Sequence, residues 1–270
     1  MPALPVGLAD AHDANYAEFS TGYARRAGSD LRRDVLVDRA VIDLPALQFN
    51  GVFRAKLPAG QVADVADETL RLARARGVPV AWRVTLTSPP DTAVTLEALG
   101  WHAERQVPVM VCEVGPAPSP LSPSVGVTVE EVTAGTLADW SRVVAVSFGC
   151  PEEFVELPAS YDRDVGLPGE TPLRRLLVRA DDEPVASSAL LPGPIDSGLA
   201  GIFCVGTLPH ARGKGFGALA TQAAMTAARG VGARVAVLQA SEMGRPLYER
   251  LGFDTVGHIS VHLPPTTDQA

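Results

Sequence analysis

The residues best suited to chemistry lie in one stretch, Val205-Gly206-Thr207-Leu208-Pro209-His210-Ala211-Arg212-Gly213-Lys214-Gly215-Phe216-Gly217. An apolar, strand-like run ends there, a glycine-rich turn follows, and helical spacing begins. Glycines let consecutive backbone N–H groups point into one concavity. The helix behind adds its positive N-terminal end, and Arg212 and Lys214 add full charges. That is a pyrophosphate cradle made mainly from backbone. A nucleotide-hydrolysing P-loop needs Gly-Lys-Ser/Thr, and Phe216 follows Gly215 instead. Gly213-x-Gly215-x-x-Ala218 fits the dinucleotide fingerprint, with Glu242 near the place of a ribose-binding acid. Only about 30 residues follow the next strand, too few to complete a doubly wound dinucleotide domain. A glycine-rich helix start without any ligand is the remaining alternative.

A second signature, Leu247-Tyr248-Glu249-Arg250-Leu251-Gly252-Phe253, follows one strand and one helix later. Loop, spacing and second signature together resemble the GNAT N-acetyltransferases, over Val125–Leu263. The resemblance implies the acyl-CoA N-acyltransferase fold, an α+β mixed sheet, with acetyl-CoA as cosubstrate and no metal. Its pyrophosphate would lie on the amides of Arg212, Gly213, Lys214, Gly215, Phe216 and Gly217. Its pantetheine arm would run along the strand at Phe203, Cys204 and Val205, in a slot where that strand splays from the next. Tyr248 stands where the family places the acid that protonates the departing thiolate, a role open to a phenol with pKa near 10. Ser241 stands where many members carry an asparagine on the CoA arm, and Gly244 at a small-residue position. Arg245 and Arg250 are within reach of the 3′-phosphate by spacing alone.

The implied acceptor is a primary amine, on a small molecule or a peptide. An amine with pKa near 10.4 is only ~0.04% neutral at pH 7, so its proton needs an acceptor. Many members carry a Glu on the strand before the loop. Leu199–Val205 carries no carboxylate, so no base is assigned, and a non-catalytic CoA-binding sensor or interaction protein stays open. Cys204 reads as a core residue. Glu152, Glu153, Glu156, Asp162, Asp164 and Glu170 surround a single Arg163 after the first helix of this half. Such a stretch suits either a cationic acceptor or a solvated loop.

The elements that must position these groups are legible in the second half. Val125–Val132 alternates as a strand and Thr136–Ser147 has helical spacing. Leu173–Ala180 and Val185–Leu191 form a hairpin about Asp181-Asp182-Glu183-Pro184. Leu199–Thr207 is a strand. Phe216–Arg229 is a helix with Leu219, Gln222, Ala223 and Thr226 near one stripe. Val235–Gln239, Arg245–Leu251 and Phe253–Leu263 follow as strand, helix and strand.

The segment Gly115–Ser124 alternates prolines with small residues and reads as a spacer. It divides residues 1–114 from 125–265. The halves look related. Leu96-Glu97-Ala98-Leu99-Gly100-Trp101 resembles Tyr248–Phe253 at a shift of 152 positions, Ala75–Val78 repeats as Ala228–Val231 at 153, and Leu57-Pro58 as Leu208-Pro209 at 151. Tandem GNAT-like domains are therefore expected. The first has decayed: Pro58–Asp64 holds one glycine and no arginine, and Leu96 replaces the tyrosine. One CoA site per chain follows.

Composition closes off other classes. Lys+Arg is 23 against Asp+Glu 31, a net charge of −8, which disfavours nucleic acid and membrane surfaces as partners. Cys112, Cys150 and Cys204 are scattered, with no Cys-x-x-Cys pair. Their odd count suits a reducing compartment, and no signal-peptide or membrane-length apolar run occurs. A cytoplasmic protein, monomeric or oligomeric, is expected. His258 and His262 share one strand face and read as solvated rather than metal-binding. There is no Gly-x-Ser-x-Gly elbow, and Trp82, Trp101 and Trp140 read as packing residues.

Overall fold

The computed structural model describes residues 7–115, 125–150 and 154–265. The first half builds α1 (Leu8–Gly22), β1 (Asp30–Arg33), β2 (Val37–Val41), β3 (Gly51–Ala55), α2 (Ala59–Arg76), β4 (Ala81–Val84), α3 (Thr92–Ala98) and β5 (His102–Glu113). The second builds β6 (Val127–Glu131), α4 (Leu137–Ser147), α5 (Leu157–Val165), β7 (Arg174–Ala180) and β8 (Glu183–Pro192). It continues with β9 (Leu199–Thr207), α6 (Phe216–Gly230), β10 (Val235–Gln239), α7 (Arg245–Arg250) and β11 (Asp254–Leu263). From β1 and from β7 onward the order is the same: three strands, helix, strand, helix, strand. The three sequence repeats fall at equivalent joints, before α2 and α6, at the ends of those helices, and at the ends of α3 and α7.

Contacts divide the chain into two units, Met1–Val109 with Val256–Ala270, and Met110–Thr255. The spacer at 115–124 lies, apart from Gly115, outside the described residues. The last strand clusters with the first unit because β11 pairs antiparallel with β4, Ser260 opposite Val84 and His262 opposite Trp82. The first unit orders its strands β1-β2-β3-β4-β11. Its core holds Val52, Leu57, Val62, Trp82, Leu96 and Trp101, with the two indoles edge to face at 6.3 Å.

The second unit orders its strands β6-β7-β8-β9-β10, with the end of β5 beside β10. β6 to β9 are antiparallel neighbours, and β9 and β10 are parallel, joined through α6. A parallel pair needs such a crossover. α6 buries Ala220, Thr221, Ala224, Ala227 and Ala228. That stripe is turned about one residue from the expected Leu219, Gln222, Ala223 and Thr226, because the small alanines allow the helix to lie close on the sheet. α5 was not expected. Its four charged or proline positions hide a short amphipathic turn that buries Tyr161, Asp162 and Val165. Trp140 packs as expected and donates from Nε1 to the Ser188 carbonyl at 3.1 Å. No helix among the described residues is long and apolar enough to cross a membrane.

Candidate active site

The cradle forms where β9 hands over to α6. A short 3-10 turn at Pro209–Ala211 closes first, and Arg212 Nε donates back to the Thr207 carbonyl at 3.2 Å. Gly213 and Gly215 then adopt φ of +76° and +87°, the left-handed region where only glycine is unstrained. A Cβ at either position would point into open space, so the requirement is conformational. Gly215 is the N-cap of α6 and supplies no side-chain cap. The first amide of the helix to find an acceptor is that of Leu219, which donates to Gly215. Among the described residues, the backbone N–H groups from Gly213 through Ala218 have no hydrogen-bond partner. Lys214 and Arg212 are exposed beside them. A fifteen-residue helix thus presents uncapped amides, its dipole and two cations at one point.

Upstream, β9 is bent on purpose. Its register against β8 runs Ala189↔Phe203 and then Ser187↔Gly206, so Cys204 and Val205 together face Ser188. This bulge places Cys204 at φ +51°, unusual for a side-chain-bearing residue. Ser187 Oγ donates to the Cys204 carbonyl at 2.9 Å and holds it. On the other side, pairing with β10 covers only Leu199 to Gly201, opposite Val235 to Val237. Beyond Gly201 the two strands part, leaving the edge of β9 from Ile202 onward without a ladder partner on β10. An extended ligand arm can add to such an edge.

Tyr248 sits on α7, 7% exposed, in one core cluster with Ile202, Leu238, Ala240 and Phe253, with the Phe253 ring edge-on at 6.0 Å. Burial pushes its phenol from 10 up to about 12, which keeps it protonated. Gly244 is required by closeness: a Cβ there would lie 3.0 Å from the Tyr248 ring and 3.2 Å from Ser241 Oγ. Ser241 is exposed, and its Oγ accepts from the Gly244 amide at 3.0 Å. Its first task is therefore to hold the turn before α7. Arg245 pairs with Glu249 at 2.8 Å, and Glu242 and Arg250 are exposed.

A buried polar network supports the other side of β9. Ser141 Oγ donates to Asp162 at 2.6 Å, and Arg175 donates to the Asp162 and Gly166 carbonyls at 3.0 and 2.7 Å. Arg175 also lies 5.3 Å from the Trp140 ring. These contacts tie α4, α5 and β7 together. Burial, reinforced by the Asp162 charge and opposed by Arg175, pushes the Cys204 thiol far up, as suits a packing residue rather than a thiolate. One residue next to the strand was not anticipated. Ser147 Cβ would lie 2.6 Å, and its hydroxyl 2.9 Å, from a Cβ on Gly206. The only sequence trace of that approach is the glycine itself.

Of the acidic stretch, Glu152 and Glu153 lie outside the described residues. Glu156 pairs with Arg142 at 3.1 Å, and Glu170 accepts from the Leu167 amide at 2.9 Å. Among the described residues, no group of three or more His, Cys, Asp or Glu side chains is placed to hold a metal. The expectation that His258 and His262 are both solvated is corrected: His258 is exposed, but His262 is 1% exposed, with Nε2 3.0 Å from Ser260 Oγ. Pairing of β11 with β4 covers it.

The first unit has the same joints without the groups. Only Lys56, Leu57 and Pro58 separate β3 from α2, too short a link for a cradle, and Pro58 is the N-cap. Leu96, at the place of the tyrosine, is fully buried.

Residues 140–253 match the model of the Acetyltransferase (GNAT) family. Among solved structures, a GCN5-related N-acetyltransferase from Kribbella flavida is similar at 20% identity and TM-score 0.67, over 93% of this chain and 95% of that one. A functionally unknown conserved protein from Staphylococcus epidermidis gives 14% and 0.62, over 88% and 95%. A tandem GNAT protein from the clavulanic acid biosynthesis pathway gives 12% and 0.56, over 82% and 76%. No curated protein matches the chain. At these identities the solved structures establish the fold alone: the chain has the acyl-CoA N-acyltransferase fold, and its residues 140–253 are similar to the Acetyltransferase (GNAT) family.

Proposed function

We propose that the second unit transfers an acetyl group from acetyl-CoA directly to a primary amine, on a small molecule or a peptide. The observation that carries the reading is the row of unpartnered amides from Gly213 through Ala218 at the uncapped start of α6. These residues fit a pyrophosphate: donors converge, cations flank them, and both left-handed glycines leave the space clear. When bound, the CoA thioester supplies the activated acyl group. Arg212 and Lys214 add charge, and Gly213, Gly215, Phe216 and Gly217 supply amides. The free edge of β9 at Phe203, Cys204 and Val205 orients the arm. Tyr248, held neutral by burial, keeps a proton ready to donate at the strand opening. Ser241 fixes the turn that carries Tyr248 and contributes to the arm's environment. The first unit, without a cradle, acts as a decayed copy that binds no CoA.

The test is a thermal shift with acetyl-CoA and, separately, NADH, beside Gly215→Glu. A ligand at about 100 times its Kd adds about 2.7 kcal/mol to the native state. A shift with acetyl-CoA only, lost in the variant, is expected. A shift with NADH only would replace this reading with a dinucleotide enzyme, and a shift with acetyl-CoA but no transfer to any amine would leave a CoA sensor.

A further inference from the structure

In the first unit, α2 carries three arginines, Arg71, Arg74 and Arg76. Arg76 is engaged: it donates to the Gly28 carbonyl at 2.7 Å and pairs with Asp43 at 3.6 Å. Arg71 and Arg74 are exposed and stand one turn apart on one side of the helix. Among the described residues their guanidinium groups make no hydrogen bond or ion pair. The charge of Glu68 reaches Arg71, but its carboxylate is held by Arg39 at 2.6 Å. Two like charges at that spacing repel, so the pair adds no stability until an anion meets it.

Both arginines line a groove of about 440 Å³, within the range of small-ligand clefts. Leu70 of the same helix, Leu99 and Trp101 between α3 and β5, and Pro265 beyond β11 give it an apolar wall. Asp67 also lines it, two turns of helix and roughly 10 Å of rise from Arg74. An anion is therefore favoured at the Arg74 end of the groove and opposed at the other.

The second unit shows what an arginine in this place does. α2 and α6 end alike. The amides of Gly77 and Gly232, both at positive φ, donate to the carbonyls of Arg74 and Arg229, and the next amides donate to Ala73 and Ala228. Arg74 and Arg229 are thus equivalent, as Leu99 and Trp101 are to Leu251 and Phe253. Arg229 Nε donates to the Gly115 carbonyl at 2.8 Å. Val114, the residue before, packs against the cluster that holds Phe253, with Leu251 beside it. In that unit, an apolar group joined to a planar oxygen acceptor covers the equivalent surface. The first unit repeats the arginine and the apolar wall, and it adds a second cation, Arg71, where α6 has Thr226. A guanidinium pair matches a carboxylate better than a neutral carbonyl.

We infer that this groove binds a small organic carboxylate, its oxygens on Arg71 and Arg74 and its apolar body on Leu70, Leu99, Trp101 and Pro265. The site belongs to the unit that has no cradle, and it stands independently of the acyl-transfer reading. Two exposed guanidinium contacts are worth roughly tenfold in affinity.

Calorimetry on the full chain tests this with naphthylacetate and its neutral isostere naphthylacetamide. In the wild type the acetate should bind about tenfold tighter than the amide, and added salt should narrow that gap. Arg71→Gln/Arg74→Gln should abolish the gap and leave the amide affinity as it was. Leu99→Ser should weaken both probes, and Arg142→Gln, an exposed arginine of the second unit, should change neither. If the double variant loses its thermal transition, Arg74→Gln alone serves. No binding of the acetate, equal affinity for acetate and amide, or an unchanged gap in the arginine variants overturns the inference. So does binding that is lost in Gly215→Glu and kept in the arginine variants, which would put the anion on the cradle. Binding seen only in a chain ending at Pro265 would assign the groove to the chain's own last residues, and overturns it too. None of these outcomes depends on acetyl-CoA binding or on acetyl transfer, so failure of that reading is told apart.

Discussion

Replacing Tyr248 with Phe removes one oxygen from a side chain that is 7% exposed, leaving the ring in its packing against Phe253. Burial holds the phenol up at about 12, so about one site in ten thousand carries a phenolate at pH 8. The residue is thus an acid in reserve across the working range and never a base. A positioned general acid contributes roughly 10²- to 10⁴-fold, equivalent to roughly 3–5 kcal/mol of barrier. Tyr248→Phe should therefore lower kcat by about that factor, followed as release of free CoA thiol at saturating acetyl-CoA and amine. Its acetyl-CoA Kd should stay within about twofold, because in the proposed site the phosphates would lie on the unpartnered amides of Gly213–Ala218 and not on this ring. Linkage gives a second readout. The folded pKa is raised, so the wild type keeps this stability below pH 10 and loses it as pH climbs from about 10 through about 12. The variant, with nothing to ionise, should lose less over that interval. A kcat within about threefold of wild type would refute the acid assignment, and an equal loss of kcat and CoA affinity would make Tyr248 a packing residue.

Acetyl-CoA titrated calorimetrically into the full chain should saturate at one per chain, because the link before α2 is too short to form a second cradle; a value near two would contradict this. His262 is held neutral, since burial lowers its pKa, with His102 assisting and Glu97 opposing. Its contribution is present above about pH 6.5 and lost as pH falls below it. His262→Leu should therefore flatten the decline in urea midpoint between pH 7 and pH 5.5, and an unchanged decline would show that other groups set it.

The cradle was legible because a site built from backbone is written in its glycines. Gly213 and Gly215 mark the left-handed positions, and their distance from the Tyr248 signature fixes one helix and one strand between. The strands of the second half were legible for the same local reason, a period of two or an all-apolar run. The packing around β9 was not. It depends on Ser147 meeting Gly206, Ser141 meeting Asp162, and Ser187 meeting the Cys204 carbonyl, contacts between residues far apart in the chain. Serines are common, and nothing in their spacing announces a partner. The acidic stretch is opaque in the same way. Its charges are visible as a run, but their pairing with Arg142 and with a backbone amide is not.

The boundary between units shows how a covalent seam and a packing seam can differ. Proline alternation at Gly115–Ser124 is a sequence signal for a spacer. It says nothing about which strand seeks which neighbour. β11 closes the second half in sequence, yet its ladder partner is β4, and β10 has the end of β5 beside it. The repeat of element order means that β5 and β11 are equivalent strands, each last in its half. Each therefore carries a pattern that suits the same vacancy, and the two vacancies are chemically alike. Local pattern can specify that such a strand fills such a place, but not which copy fills which. That choice buries His262 and moves the last strand into the first unit, and it leaves the cradle, the bulge and Tyr248 together within Met110–Thr255.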